Sequence, residues 1–308
     1  MKKGVSIGII IGVVVGVVVI AVAAIFILGF FKLPGSGTSE KIDYSHEYPE
    51  SASDISGFEM KKTGETFIVY YHVLDKERAN RVLAVLEQAG KSLYSQYLGI
   101  EKNTSVYIAS TLDEYVEIAD FPGGRENVQV GDGSAPQGKI YLYKPFESEN
   151  DEKSGGVVIH EGVHAEIFQF LGQDKMRIFP GFLNEGMAHY IEYVFKAGAN
   201  FKPLEQIYHS DLLVDGVKTG NPKLMSLDEL GQECDNYISD ETVNFLCRGQ
   251  GTFVIWYLNE EYGKDSSANF LADFKQTSDW KTSLSKITGK GISELGADIN
   301  DKLKLMAQ

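Results

Sequence analysis

The feature that most constrains the fold is an apolar run near the start of the chain. Between Val5 and Phe31 there are 27 residues, and the only polar side chain among them is that of Ser6. Roughly 20 apolar residues in a helix cross a bilayer core about 30 Å thick. The run therefore predicts a single N-terminal transmembrane helix, with the rest of the chain folding on one side of a membrane.

A cleaved signal peptide is the competing interpretation of this run. Such a peptide has an apolar core of only about 7 to 15 residues, which ends at a small-x-small cleavage site. Ala21-Val22-Ala23 resembles a cleavage site, but the apolar residues continue beyond it through Leu28. No cysteine follows the run, so a lipoprotein anchor is not indicated. The length of the run favours an uncleaved anchor in the lipid bilayer.

The residues around the run predict its orientation. Lys2 and Lys3 precede it and Lys32 follows it, and the more basic flank of a lone span normally stays in the cytoplasm. We expect a single-pass protein of the cell membrane with a cytoplasmic N-terminus and an extracytoplasmic domain. That domain carries 27 basic and 43 acidic residues. Because nucleic acid is bound through clustered lysines and arginines, it is not an expected partner.

Glycines recur every four residues within the run. A strip of small side chains along one face lets two membrane helices approach closely. The strip predicts a homodimer through a face composed of Gly4, Gly8, Gly12 and Gly16.

Composition divides the chain into four parts. Residues 1–32 are the cytoplasmic start and anchor, and residues 33–57, rich in glycine, serine, proline and acids, are predicted as a flexible stalk. Residues 58–150 are predicted as an α+β subdomain, and residues 151–308 as a helical subdomain. The predicted fold class is α+β, with a small mixed sheet and a mostly helical C-terminal half.

Alternating and β-branched patterns predict the strands of the sheet. They are TFIVYYHV (66–73), SVYIAS (105–110), NVQV (127–130) and GKIYLYKP (138–145), the last as an edge strand. Periodicity of about 3.6 residues predicts the helices. After a first one that ends near Gly99, they cover 155–171, 182–197, 250–263, 268–276, 280–287 and 292–306.

The sequence HEGVH carries the chemistry of the helical part. In a helix, His160 and His164 project from one face one turn apart, so both imidazoles can reach one ion. Glu161 emerges about 100° further round the helix, where it can act as a base without binding the metal. The structural alternative is a pair of core histidines satisfied by hydrogen bonds.

A catalytic zinc site usually has three protein ligands and one open position, so a third ligand is needed. Glu185 opens a second helix just after the Pro180-Gly181 turn, and antiparallel packing of the two helices would bring it opposite the histidine pair. His189 and His209 are competing candidates. Spacing alone does not choose among the three.

HEGVH followed by LNEGMAHYIE resembles the gluzincin zinc metallopeptidases, the clan of thermolysin and the zinc aminopeptidases. The resemblance is closest to the short peptidase-MA-like domains of that clan. It implies that His160, His164 and Glu185 bind one Zn²⁺ per chain and that Glu161 is the general base. It further implies hydrolysis of peptide bonds in a peptide or protein substrate.

The chain departs from this pattern at two positions. Where relatives often carry an acid that orients a ligating histidine, this chain has His189. Where relatives often place a tyrosine that stabilises the oxyanion, it has Cys247-Arg248, and Arg248 is predicted as the electrophile. The alternatives for that role are Tyr208, His209, Tyr237 and Tyr257.

These departures keep a second function open, that of a catalytically inactive, cell-surface binding or scaffold domain. Retention of Glu161 argues against it, because an inactive descendant has no chemical need of that residue. A third reading is that the same chemistry hydrolyses a different amide or an ester.

Two cysteines, Cys234 and Cys247, lie in the predicted extracytoplasmic part. In an oxidising compartment such a pair can form a disulfide. Their spacing does not establish the Cα separation that a disulfide requires, so two unpaired thiols are the alternative.

Overall fold

The computed structural model describes residues 42–119, 128–147, 151–198, 201–207, 210–234 and 241–308. The predicted anchor with its glycine face lies outside these residues, as do Tyr208, His209 and Tyr237. Within the described ranges, no helix has the length and apolar content to cross a bilayer. The described residues from 42 onward cluster as one unit.

A mixed sheet of six short strands forms the first half of this unit. The strands are β1 (Glu50–Ala52), β2 (Met60–Thr63), β3 (Phe67–Tyr71), β4 (Thr104–Ala109), β5 (Gly133–Ser134) and β6 (Ile140–Tyr143). Their spatial order is β1-β2-β3-β4-β6-β5. The three central strands β3, β4 and β6 run parallel, and the outer strands pair antiparallel to their neighbours.

The edge of the sheet differs from the prediction. Strand β6 is not the edge strand, because β5 pairs with it through Gly133 opposite Leu142 and Ser134 opposite Tyr141. The predicted strand NVQV is also wrong for its described residues, since 128–130 form no strand. The strand at this edge instead lies in the segment GDGSAPQ (131–137), for which no strand is predicted above.

Thirteen helices lie in the described residues. They are α1 (Lys76–Val85), α2 (Lys91–Leu98), α3 (Leu112–Ala119), α4 (Asp151–Leu171), α5 (Gln173–Met176), α6 (Gly181–Ala197), α7 (Pro203–Gln206), α8 (Ser210–Thr219), α9 (Leu227–Glu233), α10 (Glu241–Glu261), α11 (Ser266–Thr277), α12 (Trp280–Thr288) and α13 (Ile292–Met306). A π-helical turn (Leu86–Gly90) joins α1 to α2. The predicted α+β class, with a small mixed sheet and a mostly helical second half, is confirmed.

Helix α4 lies between the sheet and the other long helices. It packs against β5 and β6 on one side and against α6 on the other, and α6 in turn packs against α10. Its buried carboxylate Glu166 accepts hydrogen bonds from the Lys102 backbone N–H (3.0 Å) and from the Thr104 hydroxyl (2.8 Å). These bonds fix α4 to the start of β4.

The second half of the predicted stalk belongs to the fold. Strand β1 pairs with β2, and the Gln88 side chain accepts a hydrogen bond from the Asp43 backbone N–H at 2.8 Å. Glu47 forms an ion pair with the buried amine of Lys62, also at 2.8 Å. The chain is therefore held on the domain from about residue 42.

The two cysteines form a disulfide. Cys234, at the end of α9, is bonded to Cys247 in α10, with the two Cα atoms 5.7 Å apart. The residue that follows Cys247 is Arg248, so the crosslink lies next to a predicted site residue.

Candidate metal centre

Helix α4 presents the HEGVH residues from a closely packed backbone. The Tyr94 hydroxyl donates to the Ile159 carbonyl at 3.0 Å and fills the space where a side chain at residue 162 would lie. Gly155 and Gly156 lie against the side chains of Phe195 and Lys196 in α6. Because glycines line these contacts, α4 and α6 approach closely enough for short side chains on both helices to meet.

Helix α6 begins directly after Pro180, and a glycine crossing sets its position. A Cβ atom on Gly186 would lie 2.5 Å from the backbone of Gly251 in α10, so the two helices cross with their backbones nearly in contact. Glu185 immediately precedes this crossing. Its carboxylate lies 3.8 Å from Nε2 of His160 and 3.5 Å from Nε2 of His164. The structure thus brings together the three predicted ligands.

A second histidine–carboxylate pair extends the cluster along α6. His189 and Glu192 follow Glu185 by four and seven residues, which places all three on one helix face. Nε2 of His189 lies 3.7 Å from Glu185. The ligand atoms of His160, Glu185 and His189 all lie within 4.8 Å of one another and could hold a metal ion.

Glu192 connects two of the imidazoles. One carboxylate oxygen, Oε2, lies 3.1 Å from Nδ1 of His160 and 3.1 Å from Nδ1 of His189. The other oxygen pairs with the amine of Lys196. Because an ionised carboxylate only accepts hydrogen bonds, both Nδ1 atoms are donors, and both Nε2 atoms are left to face Glu185.

His164 is held differently. Its Nε2 lies 3.1 Å from Nε2 of His160, while its Nδ1 is buried without a hydrogen bond among the described residues. The amide oxygen of Asn184 is likewise buried and unbonded, although Asn184 lies close enough to raise the pKa of His164. Burial outweighs this effect and lowers that pKa to about 4, so His164 is neutral at neutral pH.

The charges in the cluster suit a cation. Burial opposes ionisation of Glu185, but the charges of the three neighbouring histidines lower its pKa to about 2. Burial also opposes the charge on His160, yet the hydrogen bond to Glu192 and the surrounding carboxylates raise its pKa to about 9. The proton of His160 Nε2 can then bridge to His164 Nε2. A metal ion would displace this proton, as binding to imidazole requires.

Glu161 lies beside the edge strand. Its side chain fills the space next to Gly133 of β5, where an added Cβ would be only 2.6 Å from Glu161 Cγ. Burial, together with the charges of Glu185 and Glu192, raises its pKa to about 7, although His160 and Arg248 oppose the shift. A carboxylate with a pKa near neutrality can accept a proton and return it.

Arg248 reaches the cluster from α10. Its Nε lies 3.7 Å from Glu185 Oε2, and its side chain is 40% exposed. The predicted electrophile is therefore near the site, where it also pairs with a predicted ligand. Tyr257, an alternative for that role, packs against Tyr262 and is almost fully buried. The other three alternatives lie outside the described residues.

Sequence reasoning did not identify Glu192. The signal was available, because Glu192 follows Glu185 by seven residues and therefore returns to the same face after two turns. The sequence does not show that α4 lies opposite this face of α6. That packing brings His160 to Glu192, which then contacts both His160 and His189.

The distances fit a metal ion. In a tetrahedral site with bonds of about 2.0 to 2.1 Å, ligand atoms are separated by about 3.3 to 3.4 Å. Nε2 of His164 lies 3.1 Å from Nε2 of His160 and 3.5 Å from Glu185 Oε1, whereas Nε2 of His160 lies 3.8 Å from the other oxygen, Oε2; these separations are near the tetrahedral values.

Comparisons with protein families and with curated proteins found no match: no protein-family model matches the chain, and no curated protein matches it.

Proposed function

We propose that the protein is a membrane-anchored, extracytoplasmic zinc metallopeptidase of the gluzincin type. The observation that carries the proposal is the meeting of two separate motifs. HEGVH on α4 and LNEGMAH on α6 place His160, His164 and Glu185 within 3.8 Å of one another, with Glu161 adjacent. The peptide or protein substrate and the bilayer anchor are parts of the same proposal.

The donor set favours zinc. Two or three imidazole nitrogens and one carboxylate oxygen suit a borderline-soft ion such as Zn²⁺, whereas Mg²⁺ and Ca²⁺ prefer oxygen ligands. His160, His164 and Glu185 would hold the ion. When bound, zinc supplies a Lewis acid that polarises the scissile carbonyl and activates water at neutral pH.

The side chains of the protein would carry out the proton transfers. Glu161 accepts a proton from the attacking water and passes it to the leaving amine nitrogen. Arg248 is placed to stabilise negative charge that develops on the carbonyl oxygen.

The edge strand would align the substrate. Gly133 in β5 packs directly against Glu161, so an extended peptide that paired with the free side of β5 would pass the base at short range. The sequence predicts β6 as the edge strand, but β5 pairs with it on that side, so this role falls to β5. A substrate-analogue complex whose backbone pairs elsewhere would refute it.

The experiment compares variants of the full-length protein in detergent. We expect about one zinc per chain and cleavage of a peptide library by the wild type. Glu161→Gln should keep the zinc and lose hydrolysis, and Glu185→Ala should lose the zinc. Glu77→Gln, at an exposed position on α1, is the matched control and should change neither property. Full activity of Glu161→Gln would refute the assigned base.

A binding or scaffold domain is the second candidate, and the position of His189 favours it. The imidazole of His189, the third beside Glu185, could fill the position that water needs. Zinc binding without cleavage of any peptide, amide or ester would support this candidate.

A further inference from the structure

His160 and His189 are prepared for metal binding in the same way, although they belong to different helices. Each has its Nδ1 at 3.1 Å from the same oxygen of Glu192. Each has its Nε2 within 3.8 Å of the same oxygen of Glu185. They differ in that His160 lies on α4 and also contacts Nε2 of His164 at 3.1 Å, whereas His189 lies on α6.

This arrangement settles the tautomer of His189. A carboxylate that accepts from Nδ1 fixes the hydrogen there and leaves Nε2 to bind a metal, as carboxylates beside zinc-bound histidines do. Lys196 pairs with the second oxygen of Glu192, which keeps the carboxylate in place. His189 is 16% exposed, so its ring has little room to turn towards solvent.

A histidine with a purely structural role would have no need for an unbonded Nε2 that faces the cluster. In the described part of the chain, Nε2 of His189 forms no hydrogen bond. It faces the Glu185 carboxylate, 3.7 Å away. That distance is too long for a hydrogen bond. It is close to the separation of two ligands on one metal ion.

We propose that His189 is a fourth protein ligand, which closes the metal shell formed by His160, His164 and Glu185. The proposal rests on the zinc site of the proposed function. The ligand atoms of His160, Glu185 and His189 lie within 4.8 Å of one another, and Nε2 of His164 lies 3.1 Å from Nε2 of His160. A catalytic site of this type normally has three protein ligands and an open position.

The closed shell has a chemical consequence. Four protein ligands leave no place for water in a tetrahedral site, so hydrolysis requires a fifth position or the release of His189. The resting protein would hold its ion more tightly than a three-ligand site, and removal of His189 would open a position to solvent.

X-ray absorption of the zinc-loaded full-length protein tests the proposal by counting imidazoles. We expect three imidazoles in the wild type and two in His189→Ala, whose zinc affinity should fall about 10-fold or more, since loss of supporting contacts alone costs about 10- to 100-fold. Glu192→Gln should keep three imidazoles but bind zinc more weakly. His72→Ala is the matched control, because His72 lies in a separate, partly buried pair with Glu114, and it should leave both readouts unchanged.

Each outcome decides between the proposals. Two imidazoles in the wild type would overturn the role of His189, whether or not the variants fold, and would leave the peptidase proposal standing. An unchanged zinc affinity and spectrum in His189→Ala would do the same. Absence of zinc binding by the wild type would overturn both proposals.

Discussion

The crossing of α6 and α10 at Gly186 and Gly251 predicts a sharp difference between two neighbouring glycines. A Cβ atom on Gly251 would lie 2.2 Å from the Phe182 carbonyl oxygen, whereas ordinary contacts begin at 3.4 Å. The helices would have to separate by about 1 Å. A Cβ on Gly249, two residues earlier in the same helix, would meet only the side chain of Leu213, at 3.6 Å. Gly249→Ala is therefore the matched control.

The expected magnitude follows from two opposing effects. Overpacking typically costs about 1 to 3 kcal/mol, and a backbone contact belongs at the upper end because a carbonyl cannot rotate away. Replacing glycine by alanine in a helix stabilises it by about 1 kcal/mol. We expect Gly251→Ala to lower the free energy of unfolding by about 2 kcal/mol, and Gly249→Ala to leave it unchanged or raise it by up to about 1 kcal/mol.

The same displacement should affect the metal. Glu185 lies next to Gly186 at the crossing, and a shift of about 1 Å is half the length of a zinc–oxygen bond of about 2 Å. Gly251→Ala should therefore bind zinc at least 10-fold more weakly, by competition with a chelator, and Gly249→Ala should not. Stability would be measured by urea unfolding followed by circular dichroism. Equal stability and equal zinc affinity in the two variants would refute this account of the crossing.

Three further predictions concern the stability of the domain. Replacing both cysteines by serine removes a crosslink between residues 13 apart, and we expect a loss of about 3 kcal/mol in the chain-entropy model; an unchanged urea midpoint would contradict it. Ser226 caps α9 in a reciprocal capping box with Glu229, so Ser226→Ala should cost about 1 kcal/mol, and Ser95→Ala, at an exposed position inside α2, should not. Lys286, together with a hydrogen bond from Ser283, lowers the pKa of Asp273 against the effect of burial. The ionised carboxylate should therefore stabilise the folded protein fully above the ordinary aspartate pKa, and this stabilisation should be lost as the pH falls through the lowered pKa of Asp273 in the folded protein. Acid titration of stability should lose this step in Asp273→Asn, and a wild-type profile in that variant would exclude Asp273 as its source.

The long helices could be predicted because their signals are local. Periodicity and chain breaks place α6 to within one residue of its start at Gly181, and α13 is predicted as it is found. Helix α10 begins nine residues before the predicted Gln250. The Pro180-Gly181 break indicates that Glu185 can lie opposite the histidine pair, but the choice of Glu185 over His189 and His209 comes from the resemblance to the gluzincins.

The edge strand and the orienting carboxylate could not be predicted in the same way. Strand β5 has two residues, one of them glycine, so it is a strand only because it pairs with β6. Glu192 is an ordinary helix residue in the sequence, and His189 is there one of three candidates for the third ligand. Their place in the cluster depends on the close approach of two helices, which is a tertiary property.

Both edges of the sheet are short, β5 with two residues and β1 with three. A long, flat edge invites pairing with other chains, and short edge strands are one way in which proteins avoid aggregation. Because β5 is so short, a substrate could form backbone hydrogen bonds to it through only about one or two residues. Discrimination among substrates would then have to come from their side chains and from how easily a segment of the target can be drawn out as an extended strand.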